Sequence, residues 1–308
     1  MLNTVKLAGI LVVIGCSFGA GPAWAQCVEG SLVEGRTPVV CDTADDMDGY
    51  AATVDQVVDV VVAAGVDVTH VADGAATEAI LLLDDSTVVN DGTITATADN
   101  TQGVEAGDNA TVTNNGSITA SGANAQGIQV GDNGSVTNQG DGEIEGGGGT
   151  TGAAILFSGT DTAANNVVNN NGNGLITTLG TIAIQGSVGN ETVTLSDTSM
   201  LMGDINLGGG DDTVTIDESA TAGGNVDLGD GTNTFNINDT AVLTGNITGG
   251  ADGDTVNFRS MSRVDGAVNL GDGTNVFSIS DDAVLTGAIT GGSGVDTILI
   301  TDQSVVNG

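Results

Sequence analysis

Apolar residues in the second half of this chain come in pairs two positions apart, and each pair returns every 21 residues. The series runs Val193/Leu195, Val214/Ile216, Phe235/Ile237, Val256/Phe258, Phe277/Ile279 and Ile298/Ile300. A second series, Ile205, Val226, Ile247, Val268 and Ile289, follows two residues after Gly203, Gly224, Gly245, Gly266 and Gly287. A third, Leu201, Ala222, Leu243, Val264, Leu285 and Val306, lies between them. A spacing of two places alternate side chains on one face, so each series predicts a short strand rather than a helix.

The first half repeats every 24 residues. Ile80, Val104 and Ile128 form one column, Val88, Val112 and Val136 another, and Asn90, Asn114 and Asn138 a third, with Gly92, Gly116 and Gly140 two places on. Insertions near GGGGTTG loosen the period before the 21-residue spacing begins. The stretch 43–65 has an ambiguous pattern, and its valine content favours strands.

A unit of 21 or 24 residues cannot bury an apolar face alone, but stacked units bury one continuously. The sequence therefore predicts an all-β, right-handed parallel β-helix of about ten coils, roughly 50 Å long at ~4.8 Å per coil. Asparagines recurring in register would form side-chain amide ladders. The expected division is a leader over 1–25, a Cys-bracketed cap over 26–56, 24-residue coils over 57–186, and 21-residue coils over 187–308, ending mid-repeat.

Composition sharpens this. The 308 residues include 50 Gly, 2 Pro and 2% aromatics, and carry a net charge of −36. Few aromatics suit thin repeated layers, and the regular Val, Ile and Leu exclude disorder. An acidic surface of this size repels phosphate backbones, so nucleic acid is not an expected partner. The N-terminus, MLNTVKLAGILVVIGCSFGAGPAWAQ, has one lysine, a short apolar run and a small-x-small site at Ala23-Trp24-Ala25, which reads as a secretory signal cleaved before Gln26. Cys16, after Val13-Ile14-Gly15, offers a rival lipoprotein cleavage site. Beyond Ala25 only Cys27 and Cys41 remain, and in an exported chain they predict one disulfide worth ~3 kcal/mol.

The segment CVEGSLVEGRTPVVC followed by NDGTITA, NNGSITASG and QGIQVG units resembles the passenger region of bacterial autotransporters, the type V secretion proteins of Gram-negative bacteria. That resemblance implies export, display at the cell surface or in the medium, and a role in adhesion, aggregation, biofilm formation or structural display. It also implies an outer-membrane translocator barrel as partner, which the sequence to Gly308 does not contain. An unidentified surface ligand and self-association complete the expected partners.

The turns of the 21-residue coils are similar to the calcium nonapeptide of repeats-in-toxin proteins. GGSGVDTIL (291–299) matches it fully, whereas LGDGTNTF and LGDGTNVF place Asn where Asp belongs. Asp212, Asp254 and Asp296 are the candidate calcium ligands, within the column Glu191, Asp212, Asn233, Asp254, Asn275, Asp296. A second acidic column runs Asp197, Glu218, Asp239, Ser260, Asp281, Asp302. Stacked carboxylates repel, so Asn between them serves as neutral spacer. Two readings stay open: calcium sites in a secreted binding module, or turn residues chosen for positive φ and side-chain to backbone hydrogen bonds.

No catalytic set stands out. His70 has no second imidazole, no Ser-centred nucleophile turn is present, and the chain beyond Ala25 has no lysine and only Arg36, Arg259 and Arg263. Acids recur in every turn, so no pair is singled out for glycoside chemistry, and a β-helix carbohydrate enzyme is the weakest reading. The expected function is non-enzymatic.

Overall fold

Alternation of apolar and polar residues produces short strands, mostly of two to six residues, whose inward side chains stack on their equivalents one coil away. The structure, a computed structural model, describes residues 27–41, 50–53, 56–70 and 78–308, together with the backbone of Lys6–Leu7 and Ile10–Leu11, which pair antiparallel. The rest of the leader expected over 1–25, including Cys16 and the cleavage site, lies outside the described residues.

The protein is an all-β solenoid of about eleven coils with no helix among the described residues. Its first ladder is a 13-stranded sheet. The hairpin Cys27–Glu29 with Thr37–Cys41 opens it antiparallel, and every later pair is parallel, from Val58–Val62 through Thr87–Asn90 to Thr297–Ile300. Thr37–Cys41, inside the segment expected to cap the rod, is thus already its first parallel rung.

Two further ladders complete a three-sided coil. One runs from Asp67–His70 through Thr93–Ala96 and Ser117–Ala120 to Val305–Val306. The other runs from Tyr50–Ala51 and Glu78–Leu81 through Gln102–Ala106 to Ile289–Thr290. They fuse where Leu175–Gln185 and Met200–Asn206 bridge both sides, with register shifts between Thr177 and Ile182 and between Ile182 and Ile184. The coil separation is 24 residues from Asn90 to Asn114 and Asn138, rises to 32 between Asn138 and Asn170 where the insertions fall, and is 21 from Glu191 to Asp212 onward.

Inside, Val88, Val112, Val136, Val168, Val193, Val214, Phe235, Val256 and Phe277 are buried in one column of the first ladder. Phe258, in the adjacent column, meets Phe235 and Phe277 edge to face at centroid distances of 6.3 and 5.2 Å. Glycine sets the corner between the second and third ladders: a Cβ on Gly245 would collide with the backbone carbonyl of Gly224 one coil below. At the N-terminal end the Cys27–Cys41 disulfide joins the hairpin strands, and Arg36 pairs with Asp59 at 2.6 Å. That contact raises the Arg36 pKa. Burial would raise the Asp59 carboxyl, but hydrogen bonds from Arg36 and Thr87 outweigh it and hold Asp59 below its ordinary value.

Candidate functional site

Two buried polar columns run along the first ladder, one at each end of its strands. In the 24-residue coils Asn90, Asn114, Asn138 and Asn170 close the strands, each amide donating to the next at 2.8 Å. Each also donates to a carbonyl of the turn, such as Asn114 to Gly116 at 3.1 Å, so the corner's backbone is satisfied from within. At Asn170, which pairs with Leu195, that column turns apolar and continues as Ile216, Ile237, Phe258 and Ile279.

The polar column then moves to the strand entry. Asp212 Oδ1 accepts the Glu191 N–H at 2.6 Å, Asn233 Oδ1 the Asp212 N–H at 2.8 Å, Asp254 Oδ1 the Asn233 N–H at 3.0 Å, and Asn275 Oδ1 the Asp254 N–H at 2.7 Å. Asp296 Oδ1 continues the series to Asn275. Asp and Asn alternate freely here because the ladder uses only the Oδ1 they share.

This column contains the candidate calcium ligands. Asp212 and Asp254 are each 1% exposed, and their Oδ1 atoms are committed to backbone amides of the neighbouring coil. Burial lifts the Asp254 carboxyl above its ordinary range in spite of N–H donors from Asn233 and Gly250. Asp296, at the last coil, also accepts the Asn275 amide at 3.0 Å. Among the described residues no three Asp, Glu, His or Cys side chains converge as metal ligands.

Glu191 and Asp212 are the least ordinary members. Glu191 Oε1 receives Ser187 Oγ at 2.7 Å and Asn166 Nδ2 at 2.8 Å, while Glu191 Oε2 and Asp212 Oδ2 are buried with no donor. Burial, reinforced by the neighbouring Glu191 and Asp211 charges, pushes the Asp212 carboxyl up to about 8. Partial burial, with the neighbouring Glu78 charge, pushes the Glu105 carboxyl up to about 7.

The second acidic column occupies the exposed turn. Asp197, Glu218, Asp239, Ser260, Asp281 and Asp302 all adopt left-handed φ, between 53° and 60°. His70 is buried and stacks in register on Ala96.

No family model, characterised protein or solved structure matches this chain. The molecule's own surfaces therefore carry the functional reading. An open cleft of about 590 Å³ lies beside the insertion at 149–152, lined by Asp204, Asn206, Asn225, Asp227 and Asn246. Asp204 and Asn225 already bond to the next coil, which makes its floor a continuation of the ladder.

The feature that residue-by-residue reading of the sequence overlooks is the outward face of the first ladder. From Thr87 and Val89, through Thr192, Thr194, Thr213, Thr215, Thr234 and Asn236, to Thr297 and Leu299, no outward position carries a charge. The signal lies in the outward positions within these strands, which lack acids although the chain has 40.

Proposed function

We propose that this chain is an exported β-solenoid displayed at the surface of a Gram-negative cell or released from it, of the autotransporter-passenger type, acting in contact between surfaces rather than in catalysis. The observation that supports this most is the continuous in-register stacking from Thr87 to Ile300, which spreads identical chemistry along a stiff rod instead of concentrating it in one pocket. A rod with repeated faces suits adhesion, because many weak contacts along it add through avidity. Antibody labelling of intact host cells, with clumping and surface attachment compared before and after deletion of the gene, tests the reading. Surface label and reduced contact on deletion support it; a protein found only inside intact cells, or unchanged contact, overturns it.

A further inference from the structure

The geometry points to the uncharged outer face of the first ladder as a self-association surface, whose partner is the same face of a second copy; this rests on the surface-contact reading above. With net charge −36, two copies approaching at random bring carboxylates together. The strip from Thr87 to Leu299 is different: its outward side chains are Thr, Ser, Val, Asn and Leu only. At the N-terminal end the charge that interrupts it, Asp59, is neutralised by Arg36.

The strands of the strip pair without offset, so its outward side chains lie in register from coil to coil, and no hydrogen bond among the described residues engages the hydroxyls of Thr194 or Thr215. Strand spacing makes it roughly 45 Å long and 13 Å wide. A face-to-face pair would bury about 1,200 Å², the lower bound for a specific interface, which suits a reversible contact multiplied over many copies. Such a pairing is isologous, so one altered position acts twice. The turns flanking the strip carry the exposed acids Asp211, Glu218 and Asp239 and the half-buried Asp217, so the rims of a pair repel while its centre does not. Association through this face strengthens as salt screens the rims, unlike association through opposite charges.

Beads coated with the purified protein test this, with clustering measured from low to high sodium chloride and attachment to host cells measured in parallel. The expected result is clustering that rises with salt and falls at least tenfold in Thr215→Glu, while Thr244→Glu, on the second ladder, clusters as the parent. Mixing Thr215→Glu beads with Thr215→Lys beads restores clustering. Unchanged melting of both glutamate variants confirms the fold. Parent beads that cluster and attach while Thr215→Glu clusters equally overturn the assignment of the face and leave the contact reading standing. Parent beads that attach to cells but never cluster overturn self-association alone, and beads that do neither overturn both.

Discussion

Asp212 and Glu191 share one buried site: the Asp212 Oδ1 caps the Glu191 backbone N–H at 2.6 Å, and the two carboxyl groups interact directly. Each is 1% exposed, and no cation lies among the charged side chains that act on Asp212. Asp212 holds a proton at neutral pH, because burial disfavours its charge and the neighbouring Glu191 and Asp211 charges repel it. Asp212 rises from 3.8 to about 8 and Glu105 from 4.5 to about 7. A carboxyl with a raised folded-state pKa binds more protons folded than unfolded, so stability falls as pH rises from the unfolded value through the folded one. Asp59 acts in the opposite sense, losing its contribution as pH falls through its depressed value. Calorimetric melting should therefore show a higher Tm at pH 5 than at pH 9, with most of the decline between pH 5 and 8.

Asp212→Asn should remove much of that decline. The amide keeps the Oδ1 acceptor for Glu191 N–H, as Asn233 and Asn275 do for Asp212 and Asp254, and replaces the unpartnered Asp212 Oδ2 with a donor like those Asn233 and Asn275 aim at turn carbonyls. At pH 8 the variant should be more stable by about 1–3 kcal/mol, the usual penalty of an unsatisfied buried polar group. Denaturant melts of parent and variant at pH 5 and pH 8 check both the sign and its pH dependence.

In the amide ladder, Asn114 donates to Asn138 and accepts from Asn90, both at 2.8 Å, and also donates to the Gly116 carbonyl. Asn114→Ala removes the partner of each neighbour inside a buried column. Destabilisation of about 2–4 kcal/mol is expected, larger than for a typical surface substitution. Hydrogen exchange should place the loss in the coils around 90–140 and leave the 21-residue coils protected.

Much of this architecture is legible from the chain. Apolar pairs such as Val193/Leu195 and Val214/Ile216 give the strand period, and their recurrence gives the register seen at Val193 with Val214. The stacking of Asn90, Asn114 and Asn138 also follows from spacing alone. Burial of Glu191, Asp212 and Asp254 does not: turn-like GGGDD and GGADGD strings look exposed, and only the strand entry's backbone amides explain why carboxyls sit inside. The transfer of the polar column from Asn170 to Asn166 and Glu191 is equally hidden, because insertions break the period where it happens. The neutral strip was present in the sequence as an absence of acids at outward positions, which a search for chemistry-bearing residues passes over.

The left-handed turn column makes a local prediction. Asp239 has φ 53°, a conformation that β-branched residues tolerate poorly and glycine freely. Asp239→Val should destabilise by about 1–2 kcal/mol, whereas Asp239→Gly should remain within a few tenths of the parent. Asp239 is exposed, so packing does not confuse the comparison. Equal losses in the two variants would show that the Asp239 side chain, and not its backbone conformation, is what the turn requires.

Calcium should act on this rod only as a divalent screening ion. The acids of the exposed turns are close in space from coil to coil, but several already accept neighbouring amides: Glu218 Oε2 from Asp197 N–H at 2.6 Å, and Asp281 Oδ2 from Ser260 N–H at 3.3 Å. In the buried column the equivalent oxygens are held by Glu191 and Asn233. A cation binding there would have to displace backbone hydrogen bonds from the stack, which opposes any gain in charge neutralisation. Screening, by contrast, needs no site and depends on ionic strength alone. Calcium and magnesium should thus raise Tm equally, and sodium chloride at matched ionic strength should reproduce most of the effect. A stoichiometric calcium heat by titration calorimetry, absent with magnesium and abolished in Asp296→Asn, would instead establish a site at the last coil.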